Sequence, residues 1–289
     1  MKQLITFLAT AIVCTVAQAQ SDSTLLNKDT IRIGSIIIIK NGKREKEKTV
    51  DITMGKKNSK KKNANVSTNW WILDFGFSNY TDKTNYANAG SYLINRPGYP
   101  LLNANDFKLR TGKSINVNFW FFMQRIKLGD PHLYLKYGVG LEMNNYRYKS
   151  LLSYKEGGYV PYSAGVQTNA PFIFRDSVSF TKNKLAADYL TVPLMLNFVS
   201  NPESKKKGLS LSAGISAGYL YSQRNKQKSG ERGKDRNKGD YDLSRFKLSY
   251  TGELGLGGVR FYGTYSPKSI YDHSLDMHPY TIGFRFSNW

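Results

Sequence analysis

The fold is decided by a stretch near the middle of the chain that reads LYLKYGVGLEMN, residues 133–144. One face carries Leu133, Leu135, Tyr137, Val139, Leu141 and Met143, and the other carries Tyr134, Lys136, Gly138, Gly140, Glu142 and Asn144. Strict alternation is the period of a β-strand, and no helix produces it. The stretch therefore predicts a strand with one apolar face and one face of small, polar and charged residues.

The same alternation recurs from residue 70 onward in eight segments of about ten residues, the length that a tilted membrane strand requires. The outward residues of the first two strands are predicted to be Trp71, Leu73, Phe75, Phe77, Ile115, Val117, Phe119, Phe121 and Met123. Because Trp120 and Phe122 then face inward, we expect a bulge or an altered register there. Pro193 cannot donate to a ladder, which predicts a second bulge. The aromatic closing strand carries Tyr280, Ile282, Phe284, Phe286 and Trp289.

The connections between the strands alternate in length. Short turns are predicted near residues 129–132, 201–208 and 257–258, and long loops near 81–112, 149–185, 223–243 and 266–277. Short turns on one side and long loops on the other are typical of outer-membrane barrels. A secreted lipocalin-like barrel is the alternative, but it would turn apolar faces inward. The face with Gly138, Gly140, Ser210 and Ser212 is too small and polar for that. The sequence predicts an all-β, eight-stranded antiparallel transmembrane β-barrel over residues 70–289, after a short N-terminal periplasmic segment.

The first 19 residues have the pattern of a signal peptide. Met1-Lys2 is positively charged, Leu4 to Val16 is apolar, and Ala17-Gln18-Ala19 has the small residues of a cleavage site. The apolar run is too short to be an N-terminal membrane anchor, which is the alternative. We therefore expect export to the cell outer membrane through a cleaved signal peptide. Cleavage removes one cation, so the formal net charge falls from +21 to +20.

Residues 20–69 are polar and rich in lysine. Asn41-Gly42 is a hairpin signal, so Ile36 to Lys40 is expected to pair with Thr49 to Met54. Residues 56–65 have the composition of a solvated linker, and residues 40–62 contain ten Lys or Arg against three acids. We expect this segment, residues 30–62, to contact a periplasmic protein or acidic cell-wall groups, with an unstructured leader as the alternative.

The sequence also resembles the outer-membrane β-barrel proteins of the Bacteroidota, in particular the PorT-like group of eight-stranded barrels. The resemblance extends over nearly all of the mature chain. It rests on residues 29–34 (DTIRIG), 113–118 (KSINVN), 188–194 (DYLTVPL), 212–214 (SAG) and 255–257 (GLG), and on the closing aromatic strand. It implies location and architecture. Most members of this group have no assigned activity, so the resemblance transfers no functional residues.

The interior of an eight-stranded barrel is just wide enough for side chains to fill it. The inward positions of the predicted strands include seven charged residues: Asp74, Lys136, Glu142, Lys247, Glu253, Arg260 and Arg285. Charges in so small a lumen have to be paired. We expect a neutralised plug that closes the lumen, and a proton or ion path is the alternative.

The sequence predicts no catalytic residues, no cofactor and no metal site. The single Cys lies in the signal peptide, and three His remain in the chain, too few side chains for a Cys-ligated zinc site. Some eight-stranded outer-membrane barrels resemble lipid A-modifying enzymes that use His and Ser near the rim. Only His273, Ser274, Asp276 and His278 cluster here, and a triad is defined by geometry and not by proximity in sequence.

A basic region, residues 223–247, contains nine Lys or Arg and four acids in a predicted surface loop. Nucleic acid is a common partner of such regions, but export makes outer-membrane lipid and lipopolysaccharide the nearer anions. A simply solvated loop is the alternative.

The sequence thus predicts a non-enzymatic outer-membrane barrel with a structural or interaction role in the cell envelope. The alternative is a component of an envelope assembly or protein secretion machine. A small channel and a lipid A-modifying enzyme follow as third and fourth readings.

Overall fold

The structure is a computed structural model that describes residues 65–203 and 208–287, together with strands at 30–33, 36–39 and 51–54. The predicted signal peptide, nearly all of the predicted linker and Trp289 lie outside the described residues. The chain divides into two units, Met1–Asn63 and Ala64–Trp289, which are described separately.

The first unit contains a three-stranded antiparallel sheet. Its strands are Thr30–Ile33, Ile36–Ile39 and Asp51–Met54, with Ile36–Ile39 in the middle. The middle strand pairs Ile36 with Met54 and Ile39 with Asp51, within the two segments that were expected to pair. Among the described residues, each outer strand has a ladder partner on one edge only.

Eight long antiparallel strands of the second unit form a closed sheet. They are β1 (Val66–Asp82), β2 (Ile115–Lys127), β3 (Leu133–Arg147), β4 (Phe180–Val199), β5 (Leu209–Ser229), β6 (Phe246–Leu256), β7 (Val259–Tyr265) and β8 (Met277–Phe286). Each strand pairs with the next one in the chain, and β8 pairs with β1. The predicted fold, an eight-stranded antiparallel barrel, is confirmed.

The alternation of the sequence explains which side chains fill the barrel. On β3, Lys136, Gly138, Gly140 and Glu142 are buried, whereas the apolar residues between them are partly exposed. On β4, Leu190, Val192, Leu194, Leu196 and Phe198 are exposed. A sheet that turns its apolar face outward is stable in lipid, which solvates that face. The polar face therefore lines the lumen.

A bulge at Phe121 corrects the predicted register of β2. Trp120 pairs with Gly140 and Phe122 pairs with Val139, so one extra residue lies between the two pairs. The extra residue reverses the alternation. Met123 is therefore completely buried in the lumen, and its predicted outward position is wrong. Trp71 of β1 lies beside this bulge with a positive φ of 57°.

The bulge predicted at Pro193 is also wrong. Pro193 pairs with Ser216 of β5, and the register between β3 and β4 is the same on both sides of it, since Thr191 pairs with Gly140 and Leu194 with Tyr137. Between β4 and β5 the register shifts at two other places, one of them between Phe180 and Lys182. Asp188 pairs with Ser222 and Tyr189 pairs with Leu220, which makes Tyr221 the extra residue.

The connections give the barrel two unlike ends. We call the end with the short connections, 128–132, 200–208 and 257–258, the turn end. The end with the long ones, 83–114, 148–179, 230–245 and 266–276, is called the loop end. Two predicted loop boundaries are wrong, because β4 already begins at Phe180 and β5 continues to Ser229. The predicted basic loop is thus a strand in its first part.

The loops at the loop end contain short regular elements. Three 3₁₀ helices span Tyr86–Asn88, Gly90–Tyr92 and Thr111–Lys113, and strands span Leu93–Ile94, Leu152–Lys155, Gly158–Tyr159, Gln167–Thr168, Phe172–Arg175 and Gly233–Lys238. Phe172–Arg175 pairs with Leu152–Lys155 and Leu93–Ile94, and Gly233–Lys238 pairs with the end of β5. In the described part of the chain, no helix is long and apolar enough to cross a bilayer.

Candidate functional site

A buried network of charges lies in the lumen near the turn end. Arg285 of β8 forms a two-point contact with Asp74 of β1, with Nε 2.7 Å from Oδ1 and Nη2 2.6 Å from Oδ2. Its Nη1 also donates to Glu253 of β6, and Glu253 accepts from Lys136 of β3 on its other oxygen. At most 3% of each of these side chains is exposed. Four strands are therefore joined across the lumen.

Neutral groups complete the contacts of this network. Trp120 Nε1 lies 2.7 Å from Asp74 Oδ2, and Asn118 Nδ2 lies 3.2 Å from the same oxygen. The Arg285 guanidinium lies 5.2 Å from the Trp120 ring centroid and 5.8 Å from that of Tyr262. A guanidinium near aromatic faces gains a cation–π attraction in addition to its ion pairs.

A second ion pair crosses the lumen nearer the loop end. Lys247 of β6 donates to Glu142 of β3, and its Nζ lies 5.0 Å from the Tyr189 ring centroid. This pair and Lys136–Glu253 join the same two strands with the charges exchanged. We call them the cross-lumen ion pairs.

Three asparagines, Asn116, Asn118 and Asn144, connect the two regions, and we call them the asparagine bridge. Asn116 Nδ2 lies 2.9 Å from both Asn118 Oδ1 and Asn144 Oδ1, and Asn144 Nδ2 lies 2.9 Å from Glu142 Oε1. Tyr262 OH donates to Asn116. The bridge holds a continuous chain of hydrogen bonds from Asp74 to Glu142.

Six of the seven predicted lumen charges are thus brought together. Arg260 takes a different place near the turn end, buried over Gly255, where a Cβ on the glycine would lie 2.9 Å from Arg260 Nη1. Sequence reasoning missed the asparagine bridge and Tyr262 as parts of the network. The signal was available, because all four side chains stand at inward positions of the same alternation.

Glycines in the wall of the lumen make room for its aromatic filling. A Cβ at Gly140 would lie 2.6 Å from Trp120 Cε3, and one at Gly138 would lie 2.8 Å from Met123 Cγ. Trp120 and Met123 form a buried apolar layer with Ile72 and Met195. Aromatic and apolar side chains therefore occupy the lumen at the height of this layer.

The loops close the other end with a core of their own, which we call the loop-end cap. It includes Leu93, Leu152, Ile173, Leu243 and Leu275 and a group of buried tyrosines, Tyr92, Tyr148, Tyr154, Tyr241 and Tyr271. Tyr154 OH lies 2.6 Å from Tyr148 OH and 3.0 Å from Tyr271 OH. Tyr92 OH donates to Tyr241 O at 2.7 Å.

Burial keeps the cap tyrosines neutral. It raises the pKa of Tyr148 to about 12 and that of Tyr241 to about 12. Neutral hydroxyls can donate hydrogen bonds to the carbonyls and oxygens around them. Two ion pairs also anchor the cap: Arg175 Nη2 lies 2.7 Å from Asp106 Oδ1, and Arg232 Nη1 lies 2.9 Å from Asp176 Oδ2.

The closing strand turns its aromatic residues to the outside. Ile282, Phe284 and Phe286 are exposed, Tyr280 is half-buried, and the Phe284 ring centroid lies 4.9 Å from that of Phe261 on β7. Trp289 lies outside the described residues. These four side chains belong to the apolar surface, and they are separate from the lumen network.

The histidine-containing loop does not assemble a Ser-His-Asp arrangement. His273 Nδ1 lies 2.7 Å from Asp242 Oδ1, and His278 Nε2 lies 2.9 Å from Asp276 Oδ1. Ser274 is held through its backbone N–H, which donates to Asp242. Across the described residues, no group of three or more His, Cys, Asp or Glu could hold a metal ion.

Comparison with known proteins agrees with this architecture. Residues 73–266 match the family model of the outer membrane protein beta-barrel domain. One similar solved structure is the crystal structure of Ail, the attachment invasion locus protein of Yersinia pestis. It is 10% identical, with 76% of this chain and 98% of Ail covered and a TM-score of 0.24, a likeness too distant to support any argument. No curated protein matches the sequence. Because the matched residues make up more than half of the chain, this protein belongs to the outer membrane protein beta-barrel domain family.

Proposed function

We propose that the protein is a closed, non-enzymatic barrel with a structural or interaction role in the envelope, exported through a cleaved signal peptide. The observation that carries the proposal is the pair of cross-lumen ion pairs, which fill the barrel from β3 to β6 at two heights. The loop-end cap also supports the proposal, since this second buried core covers the loop end of the barrel. A channel needs an open water path, whereas a rigid plugged barrel offers its outer surface and its cap to partners.

A conductance measurement tests the closed lumen. We expect the purified barrel to give no steady single-channel current in planar bilayers, because buried ion pairs and aromatic side chains occupy the interior. A sixteen-stranded porin, whose lumen holds an aqueous channel, serves as the positive control in the same bilayers. Regular, voltage-stable current steps from the protein alone would contradict the proposal in favour of a small channel.

The second candidate is a component of an envelope assembly or secretion machine, akin to the PorT-like group that the sequence resembles. A specific observation favours it. The sheet of the first unit has outer strands, Thr30–Ile33 and Asp51–Met54, each with a ladder partner on one edge only among the described residues. A strand edge can accept a strand from another protein. The many cations of residues 40–62 would attract acidic groups of a periplasmic protein or the cell wall.

Deleting residues 30–62 tests this candidate. We expect the truncated barrel to assemble normally, because the described barrel strands begin at Val66, but to lose periplasmic proteins that the full chain captures at low salt. The salt dependence follows from screening of charge attraction, whose range is about 10 Å at 0.1 M salt. Equal capture by the full and truncated proteins at low and high salt would eliminate the docking role.

A further inference from the structure

A ladder of cations lies where β4 and β5 extend beyond the rest of the barrel at the loop end. Arg147, Lys184, Lys226 and Arg236 stand opposite one another in one row across four strands, from β3 to Gly233–Lys238. Lys182, Lys228 and Lys234 form the next row, and Arg224 and Lys238 are paired on the side nearer the membrane. We call these nine residues the cationic face.

The cationic face is continuous with the lipid-facing side of the barrel. On β4 the outward positions run from Phe198 to Leu190 and continue through Asp188 to Lys184 and Lys182, two residues apart each time. On β5 the extra residue Tyr221 shifts the alternation, which brings Lys226 and Lys228 opposite these lysines. At about 3.3 Å per residue, Arg224 lies roughly 10 Å beyond Tyr221, the last exposed apolar residue of β5, and the cations of β5 extend about 13 Å further along the strand, to Lys228.

Few acids compensate these cations. Asp188 accepts from Arg224, and Lys184 Nζ donates to the neutral Asn145. Like charges directly opposite each other in a sheet are destabilising. Burial, together with Lys226 and Lys182, lowers the pKa of Lys184 to about 8, and burial and Arg224 lower that of Lys226. The lysines, with Asp235 and Arg236, also line a groove. An external anion would relieve the repulsion.

We propose that the cationic face binds the phosphate groups of outer-leaflet lipid headgroups. The inference rests on the envelope role proposed above, and it names the residues that would contact the lipid. The position of the face selects this partner, since it follows the apolar belt on the outward side of the same strands, in the direction in which the headgroups of the surrounding leaflet lie. A basic residue near an anionic membrane surface gains roughly fivefold in binding, so a row of four is a strong phosphate site.

A charge-removal experiment tests the proposal. The face variant is K184Q/K226Q/R236Q, and the control K83Q/K108Q/K155Q removes three exposed cations from other loops. Each protein is placed in phosphatidylcholine bilayers with increasing phosphatidic acid, and the midpoint of thermal unfolding is followed. We expect phosphatidic acid to raise the midpoint of the wild type and the control, and to bind the face variant about a hundredfold more weakly. In phosphatidylcholine alone, the face variant should be as stable as the wild type or more stable.

Three outcomes would overturn the proposal. One is an equal response of all three proteins to phosphatidic acid. Another is that inorganic phosphate added to phosphatidylcholine bilayers stabilises the wild type as much as phosphatidic acid does, which would indicate a site for free anions. A third is binding of heparin or RNA by the face without any response to the lipid. If the face variant fails to fold, K182Q/K228Q/K234Q removes the next row and allows the same comparison. None of these outcomes depends on whether the barrel conducts.

Discussion

Replacing Asp74 by asparagine is expected to destabilise the barrel by about 3 to 5 kcal/mol, the usual cost of breaking a buried ion pair by removing one partner. Asp74 is completely buried and accepts from Arg285, Trp120 and Asn118. The variant keeps the shape of the side chain but leaves Arg285 with one carboxylate, Glu253, which Lys136 already shares. Equilibrium unfolding in phospholipid vesicles with guanidinium, followed by tryptophan fluorescence, measures the change.

The same substitution at an exposed pair provides the control. Asp272 lies 3.7 Å from Lys268 on the surface, where Lys268 is largely exposed, and Asp272→Asn should cost less than about 1 kcal/mol. In the double variant D74N/R285Q the two losses should not add, because each single change already breaks the same contact. Additive losses, or an Asp74→Asn variant as stable as the control, would show that the buried network contributes no coupling.

The second large effect is expected at Gly283 of β8. A Cβ there would lie 2.4 Å from the carbonyl oxygen of Phe75 and 2.5 Å from Gly76 Cα, as well as 2.7 Å from Tyr262 Cε1. Two of these atoms belong to the backbone of β1, so no rotamer change removes the collision. Gly283→Ala should therefore cost roughly 1 to 3 kcal/mol in the same unfolding assay, as overpacking usually does.

Gly252 is the matched control for this substitution. It also lies within the barrel sheet, but a Cβ there would meet only the carbonyl oxygen of Ser212, at 3.8 Å. Gly252→Ala should stay within about 0.5 kcal/mol of the wild type. Removing the Tyr262 ring together with Gly283→Ala should not restore stability, because the backbone contacts with β1 remain. Full recovery in that double variant would mean that the strands are further apart than the structure has them.

Much of the lumen could be predicted because a strand has a period of two. Once the two faces of residues 133–144 were assigned from their alternation, Lys136 and Glu142 were placed on the inward face. The alternation of the other strands placed Asp74, Glu253 and Arg285 inward in the same way. The pairing of these charges across the lumen could not be read from any local pattern. It depends on the stagger between strands that are far apart in sequence, which only the closed sheet determines.

Two kinds of feature could not be placed from the sequence. The bulge expected near Trp120 and Phe122 lies at Phe121, but the bulge at Tyr221 has no distinctive residue type, and Pro193, where a bulge was also predicted, is accommodated without one. The loop-end cap was missed because its core comes from four loops with no shared period. Its tyrosines could have given a signal, since loops seldom carry so many large side chains without burying them. The signal peptide and the role of residues 30–62 stay predictions.

The cross-lumen ion pairs have a consequence for how the barrel forms and comes apart. They join β3 to β6, and β4 and β5 lie between these strands in the ring. In a sheet that has not yet closed, three steps of about 4.8 Å separate β3 from β6, and side chains that stand upright on such a sheet do not meet. The pairs therefore form only as the sheet closes. Interactions that are absent from a folding transition state slow unfolding without speeding folding. If the sheet closes after that state, we expect these pairs to lengthen the lifetime of the inserted barrel and to leave the rate of its assembly unchanged.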